Sequence, residues 1–400
     1  MRIALVSDYY LPTLGGVQTV VKAQLEGLTR AGHEATVFAP LAAESGSDDV
    51  VALPVARHFH PDGYPFTWPP RKAIALLERE FVRRRIEVVH VHSEMFAALA
   101  AMRAARTLGL PVVFTVHGRV DVYSVNVLPV PSLSTALLAG LHGRYVRHAH
   151  TPIPSDRPHT RTVAARRMWR LMVSQANAAT RVAVPSAHLA AKLIDLGVTS
   201  PVTVVPNAIE DSVIESLGPP VVRTRREGEP LRVMWCGRVS PEKRPGVFVD
   251  AATRFAPDVT SDMYGDGVSR TAVKAAVKGT AVTWHGGVPQ GEVLAAMGNH
   301  HVFVSSSLDF DNQPMVMLEA IAAGLPIVYC DPDLAETVPP LGSILTITPD
   351  AAGVAQAIER IRTEPGLLSS LSAATIAWRT AVSIDAHVST LLEVYEASLS

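Results

Sequence analysis

The chain runs to 400 residues, 48% of them hydrophobic and 18% charged; that is too long for one ordinary core, so two domains are expected. Lys and Arg number 36 against 37 Asp and Glu, a formal net charge of -1, which leaves no overall basic field to draw a nucleic acid. The two cysteines, Cys236 and Cys330, lie inside apolar runs without zinc or redox spacing, as small core residues of a protein kept in a reducing cytosol.

The opening MRIALVSDYYLP has a five-residue apolar run before Ser7 and Asp8, too short for a secretory segment, and reads as a first strand. Further strands are predicted at 34–39, 88–91, 112–116 and 181–184, with helices at 17–31, 71–85 and 97–108 between them. That alternation implies a doubly wound α/β sheet. Gly32 and Gly109 stand where helix C-caps are expected. The most apolar helical stretch, 95–110, is broken by Arg103 and Arg106, and no run approaches the roughly 20 residues needed to span a bilayer. The expectation is a soluble or peripheral protein, cytoplasmic or at the inner face of the plasma membrane.

The segment 140–170 is strongly basic: Arg144, Arg147, Arg157, Arg161, Arg166, Arg167 and Arg170 oppose Asp156 alone, with Met168, Trp169, Leu171 and Met172 among the later arginines. Such a mixture suits a membrane-surface helix, with peripheral contact through 140–172, or a pocket for an anionic acceptor; it equally suits an ordinary helix with one buried face. From 207 to 229 the pattern lapses into polar, Gly- and Pro-containing sequence, the expected linker between a domain at 1–206 and another at 230–380. A second alternating series follows, with strands near 231–236, 261–264, 282–284, 301–304 and 326–329. The last helical stretch, within 381–400, comes after this second sheet is complete and is expected to cross back to the first domain.

Three features open where apolar runs stop: GRVSPEK at 237–243, YGDG at 264–267 and DNQPMVMLEA at 311–320. In an open parallel sheet, ligands collect beyond the carboxyl ends of the strands, so all three are expected to face one crevice. Arg238 and Lys243, in one strand-to-helix loop, are suited to neutralise a diphosphate leaving group, Arg as a planar fork and Lys as a point charge. Gly15 and Gly16, between the first strand and the helix from Val17, let the backbone approach a phosphate or sugar at a helix N-terminus; a plain tight turn is the other reading. Gly265-Asp266-Gly267 imitates the start of a dinucleotide fingerprint, but Arg270 occupies the third glycine position, which argues against a dehydrogenase. Asp309-Phe310-Asp311 has D-x-D spacing, common by chance, and no metal is expected there.

As an ordered set, the Gly15-Gly16 loop, His117 after VVFTV, VPS at 184–186, VPNAI at 205–209 and the three C-terminal features resemble a retaining glycosyltransferase of family 4 over almost the whole length. The resemblance implies a GT-B fold, two Rossmann-like doubly wound domains facing a central cleft, with the acceptor served by the first domain and a nucleotide sugar by the second. It places Gly16 near the donor diphosphate and His117 beside the sugar and acceptor hydroxyl. By the same resemblance Asp311 holds sugar hydroxyls, the amides of Met315 and Val316 hold phosphate, and Glu319 holds the ribose. Two departures stand out: Asp311 is a methylene shorter than the family's glutamate, and Pro314, where many members have glycine, offers no N–H. His92, after VVHV, reads as structural.

The resulting expectation is a metal-independent, cofactor-free retaining hexosyltransferase using a UDP- or GDP-sugar and an acceptor hydroxyl, lipid-linked or anionic, in glycolipid or cell-envelope glycan synthesis. The rivals are glycosylation of a soluble small molecule, a sugar-nucleotide epimerase or hydrolase of the same fold, and a non-catalytic nucleotide-sugar-binding module.

Overall fold

The opening apolar run forms β1 (Arg2–Val6), and Ile3, Ala4, Leu5 and Val6 are all fully buried. A strand apolar on both faces must be covered on both, which is the condition for a parallel sheet between helix layers. A computed structural model describes residues 1–11, 15–41, 47–57, 65–127, 130–146 and 152–400. By its contacts the chain divides into a first unit, Met1–Pro206 with His387–Ser400, and a second, Asn207–Ala386.

The first unit's further strands are β2 (Glu34–Pro40), β3 (Val50–Leu53), β4 (Val88–Val91), β5 (Val112–Thr115), β6 (Arg181–Val184) and β7 (Val202–Val204). Among the described residues they form a seven-stranded sheet in the order β3-β2-β1-β4-β5-β6-β7, every pairing parallel. The helix after β1 runs Gly16–Arg30, and those before and after β4 run Pro70–Arg83 and Phe96–Leu108. Gly109, at φ 68°, ends the last of these in the left-handed conformation that favours glycine.

The second unit begins inside the expected linker. Residues 207–229 are not plain linker: they hold the helix Asp211–Leu217, and Ile209 and Val213 are buried in the second unit's core. The sequence looked polar there because a seven-residue helix with few buried positions leaves little periodicity to read. Strands β8 (Leu231–Cys236), β9 (Val259–Tyr264), β10 (Val282–Gly286), β11 (Val302–Ser305), β12 (Ile327–Tyr329) and β13 (Ser343–Leu345) form a parallel sheet in the order β10-β9-β8-β11-β12-β13. Alternate residues of β8 feed opposite cores, Leu231, Val233 and Trp235 one and Met234 the other.

The basic segment corrects one expectation. Met168, Trp169, Leu171 and Met172 lie on the helix Val163–Ala178, and all four are fully buried in the first unit's core, so they present nothing to a membrane. Arg166 donates to the Thr160 and Arg161 carbonyls, Arg167 to the Ser132 carbonyl, and Arg157 pairs with Asp195, while Arg144, Arg161 and Arg170 are exposed. Arg147 lies outside the described residues. Besides Val163 at the start of the basic helix, exposed apolar side chains lie on the neighbouring helix Pro131–His142, where Leu133 and Leu137 are 69% and 64% exposed. No helix among the described residues is long and apolar enough to cross a membrane.

Candidate active site

Each sheet reverses its strand order once, between β1 and β4 in the first unit and between β8 and β11 in the second. Adjacent loops leave such a point in opposite directions, opening a crevice at the carboxyl ends of the two strands. In the second unit that crevice receives the ends of β8 and β11, which carry the GRVSPEK and DNQP segments.

The β8 loop passes Arg238, turns through a short 3-10 helix at Pro241–Lys243 and reaches Arg244, at φ 50° and ψ 48°. A non-glycine residue held there is strained, and here the turn is fastened from the end of β11 and from the loop after β13. Ser306 donates to the Lys243 carbonyl at 2.8 Å and accepts from Trp235 Nε1 at 2.9 Å, and Arg244 donates to the Pro349 carbonyl at 2.6 Å. This bracing delivers Lys243 Nζ to 2.6 Å from Asp311 Oδ1, with side-chain exposures of only 15% and 8%. The other oxygen, Asp311 Oδ2, is buried and has no hydrogen-bond partner among the described residues. A buried carboxylate oxygen without a donor is costly, so this one is suited to a ligand hydroxyl. Arg238 is half exposed and lies 3.8 Å from Glu242.

Behind Asp311, Pro314 precedes the helix Met315–Ala322, whose first amides, those of Met315 and Val316, have no acceptor within the helix. Glu319 lies on the same helix, 8% exposed, and accepts from Gln290 Nε2 at 2.6 Å. Burial pushes its carboxyl up to about 7, and Glu210 adds to the rise against the Gln290 hydrogen bond. VPNAI supports the same loop: the Asn207 amide donates to Gln313 Oε1 and its side chain to the Gln313 carbonyl.

The glycines of YGDG serve loop packing. Gly265 has φ 127°, and a Cβ there would lie 1.9 Å from the Gly237 carbonyl oxygen; one at Gly267 would lie 2.5 Å from that of Val239. Backbone bonds from Gly237 to Tyr264 and from Val239 to Asp266 seal the two loops together. Of the D-x-D pair, the Asp311 carboxylate is engaged by Lys243, and the backbone amide of Asp309 donates to Asp331. Among the described residues no three His, Cys, Asp or Glu side chains gather as a metal cage.

In the first unit, Gly15 precedes the helix that starts at Gly16, and its φ of 172° is ordinary extended backbone. His117, just past β5, is half-buried, and its Nε2 lies 3.0 Å from His92 Nδ1. Two carboxyl groups at the β1/β4 reversal were not singled out from the sequence. Asp8 accepts from the amides of Ala97 and Ala98 and from Ser93 Oγ, capping the helix Phe96–Leu108 across the sheet. Glu94 is pushed up to about 8 by burial and by the neighbouring Asp8. The signal was present in Ser7-Asp8 and Ser93-Glu94, polar pairs that end apolar strands beside one another.

Two Rossmann-like domains, each with one reversal point, carry charged side chains at the carboxyl ends of their strands, and the family comparisons place such a chain among glycosyltransferases that act on sugar nucleotides. Residues 14–213 match the family model for Glycosyltransferase Family 4, and 230–364 match that for Glycosyl transferases group 1. The chain belongs to Glycosyltransferase Family 4. It is 28% identical over 345 residues to a GDP-mannose-dependent alpha-mannosyltransferase of Mycobacterium tuberculosis, covering 83% of this chain and 79% of that one. It is 23% identical over 359 residues to an alpha-monoglucosyldiacylglycerol synthase of Acholeplasma laidlawii, covering 82% and 80%. Sucrose-phosphate synthase from Thermosynechococcus elongatus shares the fold, with a TM-score of 0.71 at 18% identity over 99% of this chain and 98% of that one.

Proposed function

We propose that this glycosyltransferase moves a hexose from a UDP- or GDP-sugar to an acceptor hydroxyl with retention of anomeric configuration and without a metal, in glycolipid or cell-envelope glycan synthesis. The observation that carries the reading is the Lys243–Asp311 pair at the β8/β11 reversal, with one buried carboxylate oxygen left open. Before donor arrives, the pair holds a cation for the diphosphate and an acceptor for a sugar hydroxyl in fixed positions, which is electrostatic preorganisation. Arg238, half exposed beside Glu242, adds a second cation for the charge that grows on the departing diphosphate. Met315 and Val316 offer amides to phosphate, and Glu319 accepts from the ribose hydroxyls. In the first unit, His117 and the Gly15-Gly16 loop serve the transferred sugar and its acceptor.

The mycobacterial relative's name joins a GDP-sugar donor to an α-mannosyl product, and the Acholeplasma relative's name contains a diacylglycerol, which favours a lipid acceptor. Contact with an anionic membrane is assigned to the helix Pro131–His142, where Leu133 and Leu137 are exposed one turn apart and Arg167 reaches the Ser132 carbonyl. The deciding test is incubation of the full chain with UDP-glucose or GDP-mannose and a lipid extract in EDTA, followed by NMR of the product's anomeric proton. An α-linked product supports the reading. A β-linked product contradicts retention, and activity lost in EDTA and restored by manganese contradicts metal independence.

A further inference from the structure

A row of buried rings lies behind His117. His90 donates or accepts at both nitrogens, with Tyr395 Oη at 2.7 Å from Nδ1 and Thr115 Oγ1 at 2.6 Å from Nε2, so its ring cannot rotate freely. The His92 ring packs on it, centroids 3.9 Å apart, and its Nδ1 lies 3.0 Å from His117 Nε2, with those two ring planes within 23°. Near-coplanar rings put an N–H close to the plane of the accepting lone pair, the favoured direction for such a bond.

Burial pushes His92 well below the usual imidazole range and His117 down to about 3, so at working pH both rings are neutral and each has one N–H to place. Only one of the two can fill the shared bond. His92 Nε2 is buried with no hydrogen-bond partner among the described residues. A proton on that atom would be a buried donor without an acceptor while His117 donated the shared bond. A proton on His92 Nδ1 instead makes the bond to His117 and leaves Nε2 as a bare lone pair. Orphaned buried N–H groups are rarer than under-satisfied acceptors, so the second arrangement is favoured.

We infer that His92 is a positioning residue: its Nδ1–H donates to His117 Nε2 and holds His117 as the tautomer whose only ring proton is on Nδ1. His117 is then a neutral ring whose only N–H is on Nδ1 and which cannot take a proton at Nε2. This rests on the reading that His117 serves the transferred sugar, but the tautomer itself can be measured without turnover.

The test is a long-range proton–nitrogen correlation spectrum of the 15N-labelled full chain at pH 7, with His117 assigned by the signals lost in His117→Gln. The expected pattern is Nδ1–H for His117, kept in His92→Asn, whose amide nitrogen can stand where Nδ1 stood. His92→Phe should release His117 to a mixture of tautomers and lower turnover of UDP-glucose or GDP-mannose by roughly 10²-fold through misplacement, with the donor Kd within about twofold of wild type. An Nε2–H pattern in the wild type overturns the inference without any variant having to fold. An unchanged tautomer, or unchanged turnover, in folded His92→Phe also overturns it. Wild-type turnover in His117→Gln would instead sink the sugar reading of His117 while leaving the tautomer result to stand.

Discussion

Lys243→Met should destabilise the second unit, not merely slow the enzyme. The ammonium is 2.6 Å from Asp311 Oδ1, the two side chains are 15% and 8% exposed, and Asp311 Oδ2 has no hydrogen-bond partner among the described residues. Removing the cation leaves a buried carboxylate with neither charge partner nor solvent. Breaking a buried pair from one side costs about 3–5 kcal/mol. For a unit spanning Asn207–Ala386, each kcal/mol corresponds to about 2–4 °C, so the transition should fall by about 6–20 °C. Asp311→Asn should cost less, because the longer, more exposed lysine can turn its head toward water. The double variant Lys243→Met/Asp311→Asn has no charge to strand and should regain at least about 2 kcal/mol of the summed single losses. Scanning calorimetry of the four proteins reads this cycle directly. A fall of under 2 °C in Lys243→Met, or a double variant equal to the sum of the singles, would show that the pair is screened and that the preorganised site does not exist as described.

Arg238→Ala should behave differently from Lys243→Met: its half-exposed side chain should leave the melting temperature within about 1 °C while kcat drops by about 10²–10³-fold, as for loss of one charge-stabilising donor. Glu319→Gln should weaken free UDP or GDP in calorimetric titration yet stabilise the protein at pH 8. Its folded carboxyl, raised from 4.5 to about 7, contributes stability that is present below pH 4.5 and lost as pH rises through 7, so removing the charge recovers up to about 3 kcal/mol there. An equal melting temperature at pH 5 and pH 8 relative to wild type would refute that account. Paired Leu133→Ser and Leu137→Ser substitutions should lower sedimentation with anionic liposomes at low salt, whereas neutral liposomes should bind neither protein appreciably.

The strands that could be read from sequence are those buried on both faces. The predicted 2–6, 88–91 and 181–184 coincide with β1, β4 and β6, because uninterrupted β-branched runs have few alternatives. The short β3, β7 and β13 escaped notice: all three are sheet-edge strands whose residues are mostly only half-buried, so they lack the two-sided burial that marks the central strands. The basic helix could be read two ways from sequence, and the structure favours the ordinary one: Arg166, Arg167 and Arg170 flank Met168 and Trp169 in sequence, but helical geometry sends the arginines and the apolar side chains to opposite faces. At the site, single residues such as Lys243 and Asp311 could be picked out by their motifs. Their ion pair could not, since nothing local relates positions 68 apart. His92 was invisible as a partner of His117 for the same reason, 25 residues away just past β4, the strand next to β5 in the sheet.

The most direct test is thermal stabilisation of the full chain by a panel of UDP- and GDP-sugars, repeated on Lys243→Met/Asp311→Asn. A ligand present at 100 times its Kd stabilises the native state by about 2.7 kcal/mol, or about 5–11 °C for a unit of this size. The account predicts a shift of that order with at least one of these sugar nucleotides in the wild type, reduced to about a third or less in the double variant. No shift with any of them, or an undiminished shift in the double variant, would contradict a donor site built on Lys243 and Asp311.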